Sequence, residues 1–268
     1  MITVGFLGGG NMAGAIITGL AKKLDPARIH VTDHHPEKLA ALAARTGCQT
    51  HAALGSWVGE CDLFILAVKP QGMKSAVEPL PALLKQGGAA LSIAAGIEAA
   101  ALKRWLAGYT VLRAMPNTPA MAGVGTTGLW APADAAPEAL DAARFVLSAV
   151  GDVVEVADED GIDLVGAIPG SGPAYVFRFL EALELAGEKR GLPPASAKAL
   201  ALGTVYGAAL LAKQSGEDFA RLREAVTSKG GTTAKALEVF NARGIDEMVD
   251  EAVEAALKRT AEMKALFR

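Results

Sequence analysis

Cysteine is almost missing from this 268-residue chain. Only Cys48 and Cys61 occur, too few for a disulfide framework, and both read as reduced small hydrophobes in a cytoplasmic protein. Histidine is scarce and lopsided. The four histidines, His30, His34, His35 and His51, all lie at or before residue 51. A Ser-His-Asp hydrolase would have to bring its base across from the start of the chain, and no G-x-S-x-G elbow is present. Metal-ligand spacing is lacking too. Adjacent His34 and His35 should send their side chains apart, and no carboxylate or cysteine partner stands out, so no metal site is expected. No basic run accompanies the net charge of −3, which leaves nucleic-acid binding without an electrostatic footprint. No charged-then-apolar leader precedes the first strand, so no signal peptide is expected. The most apolar stretch, 199–212, is bounded by Lys198 and Lys213 and contains Gly203, Thr204 and Gly207. It is expected to be too short for a membrane span, and to form a core or subunit-interface helix instead.

What the chain does have is a glycine fingerprint in its full context. Thr3-Val4-Gly5-Phe6-Leu7 reads as a buried strand, Gly8-Gly9-Gly10-Asn11-Met12-Ala13 as a turn into a helix, and Asp33 follows about twenty residues later. Gly8 permits the tight turn, Gly10 lets backbone approach a pyrophosphate, and Ala13 lets helix and strand pack closely. The helix mouth favours phosphate charge. Asp33 suits a ribose 2′-hydroxyl and repels a 2′-phosphate, which His34 and His35 could offset.

Short β-branched runs alternate with amphipathic helical patterns over the first 155 or so residues. Strands are expected at 3–7, 28–32, 63–67, 89–93, 110–115, 125–131 and 153–156. Helices are expected at 12–23, 37–45, 71–77, 99–106 and 138–149. This alternation predicts a Rossmann-type, doubly wound, mostly parallel sheet covered on both faces. After Asp158 only helical patterns remain, at 162–167, 174–190, 195–214, 219–227, 233–242 and 245–266. The expected division is a dinucleotide-binding domain over 1–157 and an all-α substrate-binding and dimerisation domain over 158–268. Helices so rich in Ala and Leu are hard to bury within one small domain, which predicts a homo-oligomer through the helical half.

Ligands of doubly wound sheets bind at the carboxyl ends of the strands. Three unusual segments fall there: Ala67-Val68-Lys69-Pro70, Ser92-Ile93-Ala94-Ala95-Gly96 and Met115-Pro116-Asn117-Thr118-Pro119. Lys69 faces a ligand or snorkels beside the sheet. Asn117, between two prolines, orients the nicotinamide or the substrate, or merely holds a turn. In the helical half, Gly170-Ser171-Gly172-Pro173 opens a long helix, with Ser171 a plausible cap. Ser228-Lys229-Gly230-Gly231-Thr232-Thr233 joins two helices, either as a simple hairpin or as an anion pocket for a small carboxylate. Helix 174–190 has no lysine before Lys189, so the candidate catalytic groups of this half are hydroxyls and backbone amides. Such a site suits hydride addition to an already electrophilic imine.

These motifs together resemble the pyrroline-5-carboxylate reductase family over nearly the whole length. The resemblance rests on Phe6–Ala13, 67–70, 92–96, 113–119, 170–175 and 226–233. It implies NADPH- or NADH-dependent reduction of L-1-pyrroline-5-carboxylate to L-proline. It also implies a helical domain that dimerises by interlocking, and often a larger ring such as a decamer. Thr233 would hydrogen-bond the ring nitrogen. Val226, Ser228, Lys229, Gly230, Gly231, Thr232, Ser171 and Asn117 would contact substrate. Gly8, Gly9, Gly10, Asn11, Met12, Ala13, Asp33, His34, Ala67, Val68, Lys69, Pro70, Ala94, Ala95, Gly96, Met115, Pro116 and Asn117 would line the cofactor. Helices of the second subunit would complete the active site. Lys229 stands where a proline is common, and Asp33-His34 leaves the choice between NADH and NADPH open. The alternative is a related imine reductase or a β-hydroxyacid dehydrogenase. The missing lysine disfavours the latter.

Overall fold

Apolar runs without a polar break belong inside a parallel sheet, where both faces are covered. Val4–Leu7 (β1) and Leu63–Leu66 (β4) are two such runs, and every residue of both is buried. The other strands are Ile29–Thr32 (β2), Gln49–His51 (β3), Ala89–Ser92 (β5), Val111–Met115 (β6), Gly125–Trp130 (β7) and Gly151–Glu155 (β8). The computed structural model, which describes residues 2–267, joins them in one eight-stranded sheet ordered β3-β2-β1-β4-β5-β6-β7-β8. Every pairing is parallel except β6 with β7.

The seven expected strands all form. β3 was not anticipated, because Gln49-Thr50-His51 offers no apolar alternation. It is a short edge strand that pairs with β2 alone.

Side chains alternate across the strands and so feed two cores. Phe6, Val31, Ile65 and Leu112 meet Ile16, Ile17 and Leu20 of helix Asn11–Leu20 (α1) on one face. Helices Pro36–Thr46 (α2) and Pro137–Leu147 (α5) cover the same side through Leu42 and Val146. On the other face, Leu7, Phe64 and Leu66 meet Met73 and Val77 of Pro70–Val77 (α3) and Leu102 of Ala99–Trp105 (α4). Proline opens α2, α3 and α5, where its missing N–H costs nothing.

Helix Gly161–Val165 (α6) runs into a π-turn over Gly166–Gly170 that contains Pro169. Helices Gly172–Glu188 (α7), Pro194–Ser215 (α8), Phe219–Ala225 (α9), Thr232–Ala242 (α10) and Ile245–Ala265 (α11) follow, in the expected order. The division differs from the expected 157/158 boundary. One compact unit extends to Ser171 and takes up the chain again at Ala256, and the other is Gly172–Ala255. α6 and the end of α11 go with the sheet because they hold each other. Lys264 is buried and ion-paired to Asp163, and Met263 packs on Gly96, its Cβ 3.3 Å from the point where a Gly96 Cβ would sit.

The apolar stretch expected to be too short for a membrane is part of α8, which runs for 22 residues and is long and apolar enough to cross one. Within Gly172–Ala255 only Ala197 and Ala201 are buried.

Candidate functional site

β1 ends at Leu7 and the chain turns at Gly8, whose φ of +103° is a glycine conformation. A Cβ there would also come within 2.8 Å of the Ala67 carbonyl oxygen. The Gly8 N–H donates to the Thr32 carbonyl (2.8 Å), and the Gly9 N–H to Oδ2 of Asp33 (2.7 Å). Gly10 differs from both. Nothing lies within 4 Å of its would-be Cβ, and it caps α1, which has no side-chain cap and no acid in its first turn. The first amides of α1, from Asn11, Met12 and Ala13, therefore lack intrahelical acceptors. They face an open cradle beside Gly10, an arrangement that fits a dinucleotide pyrophosphate.

The parallel register aligns Leu7 with Leu66, Leu66 with Ser92 and Ser92 with Arg113. The segments Ala67–Pro70, Ala94–Gly96 and Met115–Asn117 thus emerge at the same edge of the sheet as Gly8–Ala13. Lys69 caps α3 and is exposed rather than laid along the sheet. A cation at a helix N-terminus is unfavourable without an anion nearby, and among the described residues no carboxylate pairs with Lys69. Ala94 is pinned by its N–H to Oγ of Ser92 (3.3 Å).

Asn117 is buried and engaged at both ends of its amide. Nδ2 donates to the Pro169 carbonyl (2.9 Å) and Oδ1 accepts from the Thr126 N–H (2.8 Å). Of the readings open for it, holding the turn is the one this geometry displays. Ser171 donates its hydroxyl to the Gly166 carbonyl (3.0 Å), closing the π-turn rather than capping α7.

Asp33 is more committed than its position at the end of β2 suggests. Oδ1 accepts from the backbone N–H of His35 and pairs with its Nδ1, both at 2.9 Å. Partial burial works to raise its pKa. The hydrogen bonds from Gly9 and His35 and the charge of Lys38 outweigh that and hold the carboxyl below the usual carboxylate value. Contrary to the expected divergence, the rings of His34 and His35 sit 4.0 Å apart, and their ligand atoms cluster with Asp33 within 4.8 Å. A cavity of about 570 Å³ flanks α1 and takes in Gly9, Gly10, Asn11, Lys22, Lys38 and Arg45. It offers three cations beside the phosphate cradle and none of the residues of 67–70, 94–96 or 115–117.

In the second unit, the loop from α9 to α10 turns at Gly230 with φ +73°. The Gly231 N–H donates to the Ser228 carbonyl (3.0 Å), and the Ser228 hydroxyl folds against Gly231 so closely that a Cβ would collide with it. Gly231 caps α10, again with no side-chain cap and no acidic first turn. Val226, Ser228, Lys229 and Thr232 are exposed and Thr233 is half-buried. The mouth of this 11-residue helix thus presents amides, two threonine hydroxyls and a lysine, an arrangement that can hold a carboxylate.

Two polar groups escaped the sequence reading. Arg113, in the apolar strand Val111-Leu112-Arg113-Ala114-Met115, is 1% exposed. A charge in the middle of a central strand was the available signal. His30 and His51 hydrogen-bond ring to ring (3.0 Å) and stack on Trp57. Nothing in the sequence announced that pair without β3.

Comparison with known proteins bears on the family and the fold. Residues 159–263 match the family model for pyrroline-5-carboxylate reductase dimerisation, and residues 3–96 that for coenzyme F420-dependent NADP oxidoreductase. A pyrroline-5-carboxylate reductase of Pseudomonas aeruginosa is 40% identical over 97% of this chain and 96% of its own. The solved structure of one from Coxiella burnetii superposes with a TM-score of 0.94 at 36% identity, covering 98% of each chain. That of the Plasmodium falciparum pyrroline carboxylate reductase, with NADP bound, gives 0.84 at 26% identity, again over 98% of each.

Proposed function

The chain belongs to the pyrroline-5-carboxylate reductase family, and on that premise we propose that it reduces L-1-pyrroline-5-carboxylate to L-proline with NADH or NADPH. The pyrophosphate is held at Gly8–Ala13, with Asp33 and His34 at the adenosine ribose. The nicotinamide end is held by Ala67–Pro70, Ala94–Gly96 and Met115–Asn117. When bound, the reduced nicotinamide supplies the hydride that the imine carbon takes up.

The chain's own groups position and polarise the substrate. The amides of 230–233, the Ser228 hydroxyl and the Lys229 ammonium hold the carboxylate. The Thr233 hydroxyl orients the ring nitrogen, and Val226 supplies an apolar wall. A pyrrolinium already carries its proton and is electrophilic, so positioning provides most of the acceleration. This explains why a catalytic lysine is unnecessary. The face of α8 is covered by a second copy of the chain, whose helices complete the site, and the free, buried Cys48 and Cys61 suit a reducing cytoplasm.

The uncapped mouth of α10 carries this reading. Thr233→Val should lower kcat/KM for pyrroline-5-carboxylate by about 1–3 kcal/mol, the cost of an unmet polar contact, with little change in cofactor affinity. An unchanged rate would remove Thr233 from the mechanism. Activity on 3-hydroxyisobutyrate in place of the imine would favour the hydroxyacid alternative.

A further inference from the structure

A buried ion pair is weak as a source of stability, since desolvation offsets its attraction. The pair between Nη1 of buried Arg113 and Oε1 of half-buried Glu159 (2.8 Å) is a poor stabiliser even by that standard. Among the described residues, Nε and Nη2 of Arg113 are buried without a partner. What the pair does have is a place. The same Oε1 accepts the backbone N–H of Ala99 (2.6 Å), the first residue of α4, three residues beyond Gly96. Arg113 itself lies two residues before Met115. One carboxylate oxygen therefore ties together the roots of the 94–98 and 115–117 segments. The loop's other end is hooked by Ser92, and Met263 packs on Gly96.

We infer that Arg113 and Glu159 are positioning residues that set the 94–98 loop for the nicotinamide end of the cofactor. This rests on the placement of the nicotinamide proposed above. Neither residue touches cofactor or substrate. Glu159 fixes where α4 begins, and with it the path of the 94–98 loop that would face the nicotinamide. Arg113 holds the Glu159 side chain in place for that contact.

The test measures equilibrium binding of NADPH by its fluorescence, beside binding of 2′,5′-ADP, which carries the adenosine half alone. The double variant Arg113→Met/Glu159→Leu replaces the pair by apolar groups and should stay folded. It should weaken NADPH binding roughly tenfold or more and lower kcat, as expected for misplacement by a fraction of an ångström, while 2′,5′-ADP binds as before. Glu159→Gln, which keeps an acceptor for the Ala99 N–H, should recover most of the NADPH affinity. Ala95→Leu, which crowds the proposed ring site directly, should also weaken NADPH and spare 2′,5′-ADP. If Ala95→Leu leaves NADPH binding unchanged, the nicotinamide placement fails and the inference falls with it. If Ala95→Leu acts but the double variant binds NADPH normally, or loses both ligands equally, the positioning role alone is overturned.

Discussion

The two compact units of this chain are finished to very different degrees. The sheet unit encloses two apolar cores in which Phe6, Phe64, Ile16, Leu20 and Met73 are fully buried. The unit Gly172–Ala255 buries only two alanines and leaves Leu202, Tyr206 and Leu211 on α8 more than half exposed, with Phe177 on α7 similarly bare. Both have ample apolar residues, so composition is not the difference. A parallel sheet with helices on each face closes its core within one chain. The helices of Gly172–Ala255 leave apolar side chains of α7 and α8 uncovered in the single chain, and the reading proposed above covers them with a second copy. On the function proposed above, the closed unit is the one that would take the dinucleotide and the bare one is where a second copy would bind.

The sharpest way to break that contrast is to charge the bare face. In a solitary chain, Leu202→Arg at an exposed position should cost no more than about 0.5 kcal/mol. If α8 is covered by a second copy, the same change buries a charge on each side of the interface and costs several kcal/mol. Sedimentation should then show monomers, with activity lost. An unaltered assembly would mean that the face is free.

Phe6→Ala sharpens the other side. A fully enclosed core residue should cost about 3–5 kcal/mol, read as a lowered denaturation midpoint, while assembly in native buffer persists. A loss of assembly without a loss of stability would blur the distinction between the units.

Asp33→Asn tests how locally the finished unit behaves. Asparagine can still accept from the Gly9 N–H, but the negative charge is gone. Preference for NADPH over NADH should rise by about 1 kcal/mol, roughly fivefold, from the removed repulsion. An unchanged ratio would place Asp33 outside the ribose site.

The smallest effect is expected at the sheet edge. Burial lowers the pKa of His30 against an opposing pull from Glu60. Burial and the neighbouring His30 lower that of His51, again against Glu60. A histidine with a depressed folded pKa contributes stability above its unfolded value, near 6.5, and loses that contribution as pH falls from there through the folded value. The melting temperature should therefore decline on acidification below about pH 6.5, and His51→Gln should flatten the decline. An identical pH profile for the variant would exclude the pair as its source.

These contrasts also explain what the sequence disclosed. Phe6–Ala13 and the apolar strands were legible because both strand burial and dinucleotide turns demand particular residues at particular places. The helices were legible from period alone. β3 was not, because an edge strand of Gln, Thr and His has no pattern to read. The commitment of Asn117 and Ser171 to backbone carbonyls was hidden as well. Their partners lie 52 and 5 residues away, and the first of these contacts needs the fold to exist. The clustering of Asp33, His34 and His35 went unseen for a related reason, since it depends on the backbone path after β2.

The most direct test of the account follows the purified chain through dilution, with sedimentation equilibrium and oxidation of NADPH by pyrroline-5-carboxylate measured on the same samples. The account predicts dimers or larger assemblies that turn over the imine, and a specific activity that falls as monomers appear. A stable monomer with undiminished specific activity would contradict it.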